Sequence, residues 1–139
     1  MIKKENVLAR VSANDWREAI REVGNLLVNA KSVTPAYVDA MIEAVEEMGP
    51  YIVIMPGFAL AHAAPSEAVL ANDAALITLK EGVDFGSTND PVHIVFCVSC
   101  VDKESHKKSL QQYARLFLKD EILEKIKNAQ SANEIVECL

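Results

Sequence analysis

The sequence predicts an α/β fold, a three-layer α/β/α sandwich around a mixed central sheet of about four or five strands. Short apolar, β-branched runs of strand length, such as Ile52–Met55 and Val92–Val98, alternate with segments whose apolar residues have helical spacing. Near-continuous apolar runs are typical of strands that helices bury on both faces. With 139 residues, the chain is expected to form a single domain over residues 1–139.

Apolar runs and capping residues locate the individual elements. The runs predict strands at Val7–Val11, Ile52–Met55, Phe58–Ala63, Ala74–Leu79 and Val92–Val98. Cap signals and helical spacing predict helices over Asp15–Asn29 (capped by Asn14), from Thr34-Pro35 to Met48, from Ser105 onward, and over Glu121–Asn128 and Ser131–Cys138. Ligand sites in such folds lie at strand ends, which directs attention to the residues that follow the apolar runs.

Charge and cysteine content exclude several classes of function. The formal net charge of −6 argues against a nucleic-acid-binding protein, which needs a basic face. Three cysteines are too few and too scattered for a disulfide framework, which predicts a reducing, cytoplasmic location. The basic N-terminus lacks the apolar run of a signal peptide, and no stretch reaches the roughly 20 apolar residues that span a bilayer.

His62 is the first candidate for chemistry. It ends a short apolar segment and is flanked by the small residues Ala61, Ala63 and Ala64. A histidine that another protein's reactive group must reach needs such an open setting. A histidine that only ends a strand and bonds a backbone carbonyl has the same pattern, so the residue pattern leaves both interpretations open.

The other two histidines differ in their settings. His106 lies near the predicted start of a helix, where the helix dipole favours an anion and disfavours an imidazolium. A neutral His106 can donate an N–H to a phosphoryl oxygen, and Lys107 and Lys108 add positive potential; a solvated surface histidine is the alternative. His93 alternates within the apolar run Val92–Val98 and is expected to be structural.

A zinc site is a further alternative, because Cys97 and Cys100 form a C-x-x-C near His93 and His106. Residues three apart in a strand point to opposite faces, whereas metal-binding C-x-x-C pairs occupy a tight turn. Buried free cysteines and no metal are therefore expected. The sequence also has none of the glycine-rich loops that cradle the phosphates of a bound nucleotide, and no cofactor is expected.

Two blocks of sequence carry a family resemblance, supported by apolar positions farther along the chain. The blocks are Gly49-Pro50-Tyr51-Ile52-Val53-Ile54-Met55-Pro56-Gly57 and Leu60-Ala61-His62-Ala63-Ala64-Pro65-Ser66-Glu67-Ala68-Val69. With Asp90-Pro91-Val92-His93-Ile94 and His106 following in order, the chain resembles the enzyme IIA proteins of the bacterial sugar phosphotransferase system. The similarity is to the mannitol/fructose-type superfamily, and closest to its ascorbate-type branch.

The resemblance implies a phosphocarrier. It assigns the phosphorylated histidine to His62 and the second active-site histidine, which stabilises the phosphoryl group, to His106. Proteins of this kind accept the phosphoryl group from HPr and pass it to a cysteine of enzyme IIB for sugar uptake through the membrane enzyme IIC. Neither metal nor nucleotide takes part, and the ascorbate-type branch permits a homodimer. The expected crevice needs an apolar rim for its partners, for which Phe58, Leu60 and Val69 are candidates; the alternative is that they belong to the core.

Two positions depart from the family pattern. Ala61 stands where the family has proline, and Ala64 stands where ascorbate-type members have arginine, a permanently charged phosphate ligand. No Arg or Lys lies between Lys31 and Lys80, so a replacement charge must come from elsewhere in the fold, such as Lys107 or Lys108. The departures also suit an alternative function, a regulatory enzyme IIA-like module whose phosphorylation state controls a partner protein.

Overall fold

Five strands form one mixed sheet, and helices cover both of its faces, which confirms the predicted fold class. The computed structural model describes residues 2–119 and 121–139. The strands are β1 (Val7–Val11), β2 (Val53–Met55), β3 (Phe58–Ala61), β4 (Asp73–Val83) and β5 (Val92–Ser99). The α-helices are α1 (Trp16–Asn29), α2 (Pro35–Met48), α3 (Lys103–Phe117), α4 (Ile122–Asn128) and α5 (Ala132–Cys138). None of the described helices is long and apolar enough to cross a membrane.

The strand order places two carboxyl ends side by side. The order is β1-β4-β5-β3-β2; β1 is parallel to β4 and β3 to β5, whereas β4–β5 and β2–β3 are antiparallel. In the β3–β5 pair, Ala61 lies opposite Cys97. The residues that follow β3 and β5 therefore leave the sheet at the same edge.

The sheet separates two hydrophobic cores, and β3 contributes to both. Ala59 and Ala61 face the core under α1 and α2, while Phe58 and Leu60 face the core under α3, α4 and α5. All four are buried, as is Val69. Of the two interpretations of Phe58, Leu60 and Val69, the core is therefore confirmed and the exposed rim is wrong, because these side chains fill the interior.

Helix starts differ slightly from the expected positions. The cap of α1 is Asp15, whose carboxylate accepts from the Glu18 N–H at 2.8 Å, while the Glu18 carboxylate accepts from the Asn14 N–H at 3.1 Å. Asn14 thus belongs to the capping arrangement without being the cap itself. In α5, Ser131 caps as predicted and accepts from the Glu134 N–H at 3.2 Å.

Strand β4 continues past the predicted end at Leu79. Val83 pairs with Val92, which extends the antiparallel ladder into a stretch whose polar residues predict a turn region. The extension depends on Gly82, because a Cβ there would lie 2.6 Å from the Pro91 Cβ and 3.0 Å from the His93 ring. Glycine permits this close approach of the Pro91 and His93 side chains to the backbone of β4.

Aromatic side chains attach α3 to the sheet. The Phe117 ring lies 4.8 Å from that of Phe58 and 4.9 Å from that of Phe96, measured between centroids. The Tyr113 ring lies 4.6 Å from the same Phe96 ring. Phe117 is also the only fully buried residue of α3, all of whose residues the structure describes, so this aromatic cluster is the main anchor of the helix.

Removing this anchor should destabilise the fold. We expect Phe117→Ala to lower the free energy of unfolding by about 3–5 kcal/mol, because it deletes a buried aromatic ring and leaves a cavity. The neighbouring Leu118 is 66% exposed, so Leu118→Ala should change the free energy by less than about 0.5 kcal/mol. Urea unfolding followed by circular dichroism measures both, and equal effects of the two substitutions would contradict this anchoring of α3.

Candidate active site

The two predicted site histidines lie together at the edge of the sheet where β3 and β5 end. His62 is the first residue after β3, and His106 lies on α3, which follows β5 after a short connection. Their ring centroids are 5.5 Å apart, with an angle of 47° between the ring planes. This is the strand-end location at which open α/β sheets carry their ligand sites.

Local hydrogen bonding determines the tautomer of His62. Its Nδ1 lies 2.8 Å from the carbonyl oxygen of Leu60. A carbonyl oxygen only accepts, so Nδ1 carries the proton and Nε2 keeps its lone pair. Nε2 makes no hydrogen bond within the described residues and is not buried. The outcome is an uncharged imidazole whose nucleophilic nitrogen is free and solvent-accessible.

His106 has the opposite arrangement. Its Nδ1 is buried without a hydrogen-bond partner, the only side-chain nitrogen or oxygen in residues 2–119 and 121–139 of which this is true. A buried N–H with no acceptor is costly, so the proton of the neutral ring belongs on Nε2, the nitrogen that solvent reaches. His106 is therefore a hydrogen-bond donor beside the lone pair of His62.

Burial keeps both rings neutral near pH 7. Burial lowers the pKa of His62 below its ordinary value of 6.5; the bond to the Leu60 carbonyl opposes this change, and His106 adds to it. Burial also lowers the pKa of His106. Protonating His106 would place an N–H at its unpartnered Nδ1, which explains physically why the imidazolium is disfavoured.

The start of α3 differs from the expected geometry around His106. The helix begins at Lys103, not near Ser105, and its cap is Asp102. The carboxylate of Asp102 accepts from the Ser105 N–H at 2.7 Å, and its carbonyl accepts from the His106 N–H at 3.0 Å. These two N–H groups are already used within the protein, so the His106 ring, and not its backbone, faces a ligand at this site.

Basic residues lie on α3 beyond the histidine pair. Five basic residues and two acidic ones lie in the segment 102–119, although the whole chain has a net charge of −6. Lys107 and Lys108 are exposed in this segment. Ala64 is exposed as well, and its methyl group offers no polar contact beside His62. The segment that carries His106 is therefore net positive within a chain that is net negative.

Tyr37 is a supporting residue that sequence reasoning missed. It is fully buried on α2, and its hydroxyl donates to the Val98 carbonyl at 2.7 Å and accepts from the Ala63 N–H at 3.1 Å. One side chain thus ties the residue after His62 to strand β5. The sequence does offer a signal for this role: a tyrosine lies on an otherwise apolar helix face, and a buried hydroxyl needs a hydrogen-bond partner.

A second support holds the connection between β5 and α3. The side-chain oxygen of Asn72 accepts from the Val101 N–H at 2.7 Å and from the Ser105 hydroxyl at 3.5 Å. The next residue, Asp73, accepts from the Ser32 hydroxyl at 2.6 Å. Asn72 therefore holds the connection that delivers His106, while Asp73 ties the start of β4 to the loop between α1 and α2.

The residues of the zinc alternative do not assemble. Within the part of the chain that the structure describes, no three His, Cys, Asp or Glu side chains form a group that could hold a metal ion. Cys97 is fully buried, with its sulfur 3.6 Å from that of Met41, and burial raises the pKa of its thiol. His93 lies at the other end of β5, beside Leu123 and Lys127 of α4.

The histidine pair lies outside the main cavities of the described surface. Five of these cavities have volumes of about 360–590 Å³, and neither His62 nor His106 lines any of the five. The largest follows the outer face of α3. Small-molecule sites are usually concave and enclosing, whereas a side chain of another protein needs a shallow approach. The arrangement therefore suits a macromolecular donor or acceptor.

Comparisons with known proteins identify the family that the chain resembles. The family model described as "Phosphoenolpyruvate-dependent sugar phosphotransferase system, EIIA 2" matches residues 1–139. The chain is 32% identical over 141 residues to the ascorbate-specific PTS system EIIA component of Salmonella typhimurium, covering 100% of this chain and 92% of that protein.

Solved structures have the same fold. The solution structure of a mannitol-specific cryptic phosphotransferase enzyme IIA from Escherichia coli has a TM-score of 0.87 and 28% identity, covering 98% of this chain and 92% of that one. The complex of mannitol enzyme IIA with phosphorylated enzyme IIB, also from Escherichia coli, matches with a TM-score of 0.85 and 23% identity, covering 99% and 96%. At 23% identity, the match to this complex shows a shared fold and nothing more.

The protonation states of both imidazoles can be measured by NMR titration of their Cε1–H signals. We expect His62 and His106 to titrate below pH 6.5 in the folded protein and at the ordinary value in urea. Because the unfolded chain then binds more protons as pH falls through 6.5, these two residues should lower the free energy of unfolding as the solution is acidified. A folded-state pKa of His62 above 6.5 would contradict the neutral ring.

Proposed function

The chain belongs to the EIIA 2 family of the phosphoenolpyruvate-dependent sugar phosphotransferase system, and on this premise we propose that it carries a phosphoryl group on Nε2 of His62. The donor is the phosphohistidine of HPr, and the acceptor is a cysteine of enzyme IIB. The observation that carries the proposal is the unbonded, accessible Nε2 of a neutral His62, whose ring lies 5.5 Å from that of a second neutral histidine.

The first step needs no general base, because Nε2 already has its lone pair. Nε2 attacks the phosphorus, the nitrogen–phosphorus bond of the donor breaks, and its electron pair returns to the donor nitrogen. Nδ1 keeps its proton, and the Leu60 carbonyl stabilises the positive charge that develops on the ring. The same charge makes Nε2 a better leaving group when the cysteine sulfur of enzyme IIB attacks the phosphorus.

His106 stabilises the phosphoryl group during both transfers. Negative charge spreads over three equatorial oxygens, and the Nε2–H of His106 donates to one of them. Because His106 is neutral, it provides a directed hydrogen bond and no full charge. Lys107 and Lys108, exposed on the same helix, contribute longer-range attraction for the anion.

An exposed apolar rim supports docking of other proteins, with members different from those predicted. Tyr51 packs edge-on against His62, at a centroid distance of 5.5 Å. Val101 lies in the connection from β5 to α3, which leads to His106, and Leu70 lies two residues before Asn72, whose side-chain oxygen accepts from the Val101 N–H at 2.7 Å. All three rim residues are large, apolar and substantially exposed. A small rim of this kind favours weak complexes that exchange partners quickly.

The partner and the sugar are proposed from the relatives. The Escherichia coli mannitol protein forms a complex with phosphorylated enzyme IIB, so we assign an enzyme IIB as the acceptor for this chain, upstream of the membrane enzyme IIC. The 32% identity to an ascorbate-specific component makes ascorbate the sugar to test first. Three free cysteines suit a reducing cytoplasmic location.

The proposal predicts a phosphohistidine that depends on one residue. Incubation with enzyme I, HPr and phosphoenolpyruvate should label the protein with an acid-labile, base-stable phosphoryl group, and His62→Ala should remove all labelling because it deletes the nucleophile. The transfer rate should stay level as pH falls to 6.5 and decline only below it, as His62 becomes protonated. Labelling of His62→Ala at the wild-type level would refute the assignment.

Substitutions at His106 serve as the matched comparison in the same assay. His106→Ala should keep the nucleophile but slow transfer by about 10²-fold, the usual effect of removing one pre-organised donor. His106→Gln retains an N–H group and should recover part of this loss. Equal rates for the alanine variant and the wild type would show that His106 has no part in the transfer.

A further inference from the structure

Tyr51 is presented at the site by a tight turn. Helix α2 ends at Met48; the next residue, Gly49, has φ of +80°, and the Tyr51 N–H donates to the Gly49 carbonyl at 2.8 Å. The Val53 N–H then donates to the Pro50 carbonyl at 3.1 Å, which closes a turn with Tyr51 inside it. The backbone around Tyr51 is therefore constrained, although its side chain is 39% exposed.

The Tyr51 ring is one of two rings packed against His62. It lies nearly perpendicular to the imidazole, at an interplanar angle of 84° and a centroid distance of 5.5 Å, the same distance as that to His106. The Tyr51 hydroxyl makes no hydrogen bond to any other described residue. Partial burial raises its pKa above 10.0, so the phenol keeps its proton near neutral pH and has that proton to donate.

Donors for a phosphoryl group are scarce at this point of the fold. No Arg or Lys lies between Lys31 and Lys80, the segment that includes both Tyr51 and His62. At the start of α3, the Ser105 N–H already donates to the Asp102 carboxylate and is not free for a phosphoryl oxygen. Three equatorial oxygens must nevertheless be stabilised, and His106 supplies one ring N–H.

We propose that the Tyr51 hydroxyl donates a hydrogen bond to an equatorial oxygen of the phosphoryl group as this group moves onto and off Nε2 of His62. The inference rests on the proposed function and adds a second neutral donor to the same site. No bond to Tyr51 forms or breaks, and the hydroxyl keeps its proton throughout. The nitrogen–phosphorus bond to the donor breaks while the bond to His62 forms.

Tyr51→Phe tests the hydroxyl alone, because it keeps the ring that contacts His62 and that partners meet. Single-turnover transfer from phosphorylated HPr should slow by about tenfold or more, the effect of losing a hydrogen bond to a charged group. The dependence of the rate on HPr concentration should stay as in the wild type. The matched control is Tyr113→Phe, in which the half-buried Tyr113 beside Phe96 loses its hydroxyl and transfer stays at the wild-type rate.

The possible failures are distinguishable. If Tyr51→Phe transfers at the wild-type rate while His62→Ala is inactive, the role of Tyr51 is refuted and the phosphocarrier function stands. If only Tyr51→Leu slows transfer, the ring acts by packing or docking, which also refutes the hydroxyl's role. If the wild-type protein accepts no phosphoryl group, or His62→Ala accepts it normally, the proposed function and this inference fall together.

Discussion

The hydrogen bond between Nδ1 of His62 and the Leu60 carbonyl is the contact on which the chemistry of the site depends. It uses one ring nitrogen and leaves the other with a free lone pair at the surface. A ring without this bond could take either tautomer and rotate about its side-chain torsions. With it, the nucleophilic nitrogen is prepared before any partner arrives, which removes part of the entropic cost of transfer.

The rest of the fold keeps this contact in place. Leu60 is buried in strand β3, whose residues divide between the two cores of the sandwich. Tyr37 ties Ala63, the residue after His62, to β5, and the Phe58–Phe96–Phe117 cluster holds the helix that bears His106. Two histidines far apart in the chain thus meet because β3 and β5 are parallel neighbours. The geometry of the site is a consequence of the sheet register.

Periodicity and caps, which are local signals, predicted the layers and the strands, whereas the family resemblance assigned His62 and His106 to the site. Sequence reasoning failed where individual contacts decide, whether these join distant segments or close neighbours in the chain. Sequence left Phe58 and Leu60 open between rim and core, and they belong to the core because a short strand buried on both faces leaves neither exposed. The extension of β4 depends on its pairing with β5. The tautomer of His62 depends on the Leu60 carbonyl, two residues earlier. The proximity of Tyr51 likewise follows from the turn before β2.

Locating the phosphoryl group on the ring tests the central claim most directly. In nitrogen-15-labelled protein phosphorylated through HPr, long-range proton–nitrogen and phosphorus spectra distinguish the two ring nitrogens of His62. Attachment at Nε2, with Nδ1 still bonded to the Leu60 carbonyl, is the predicted result. Attachment at Nδ1 would require that hydrogen bond to break first, and would contradict its role in preparing the nucleophile.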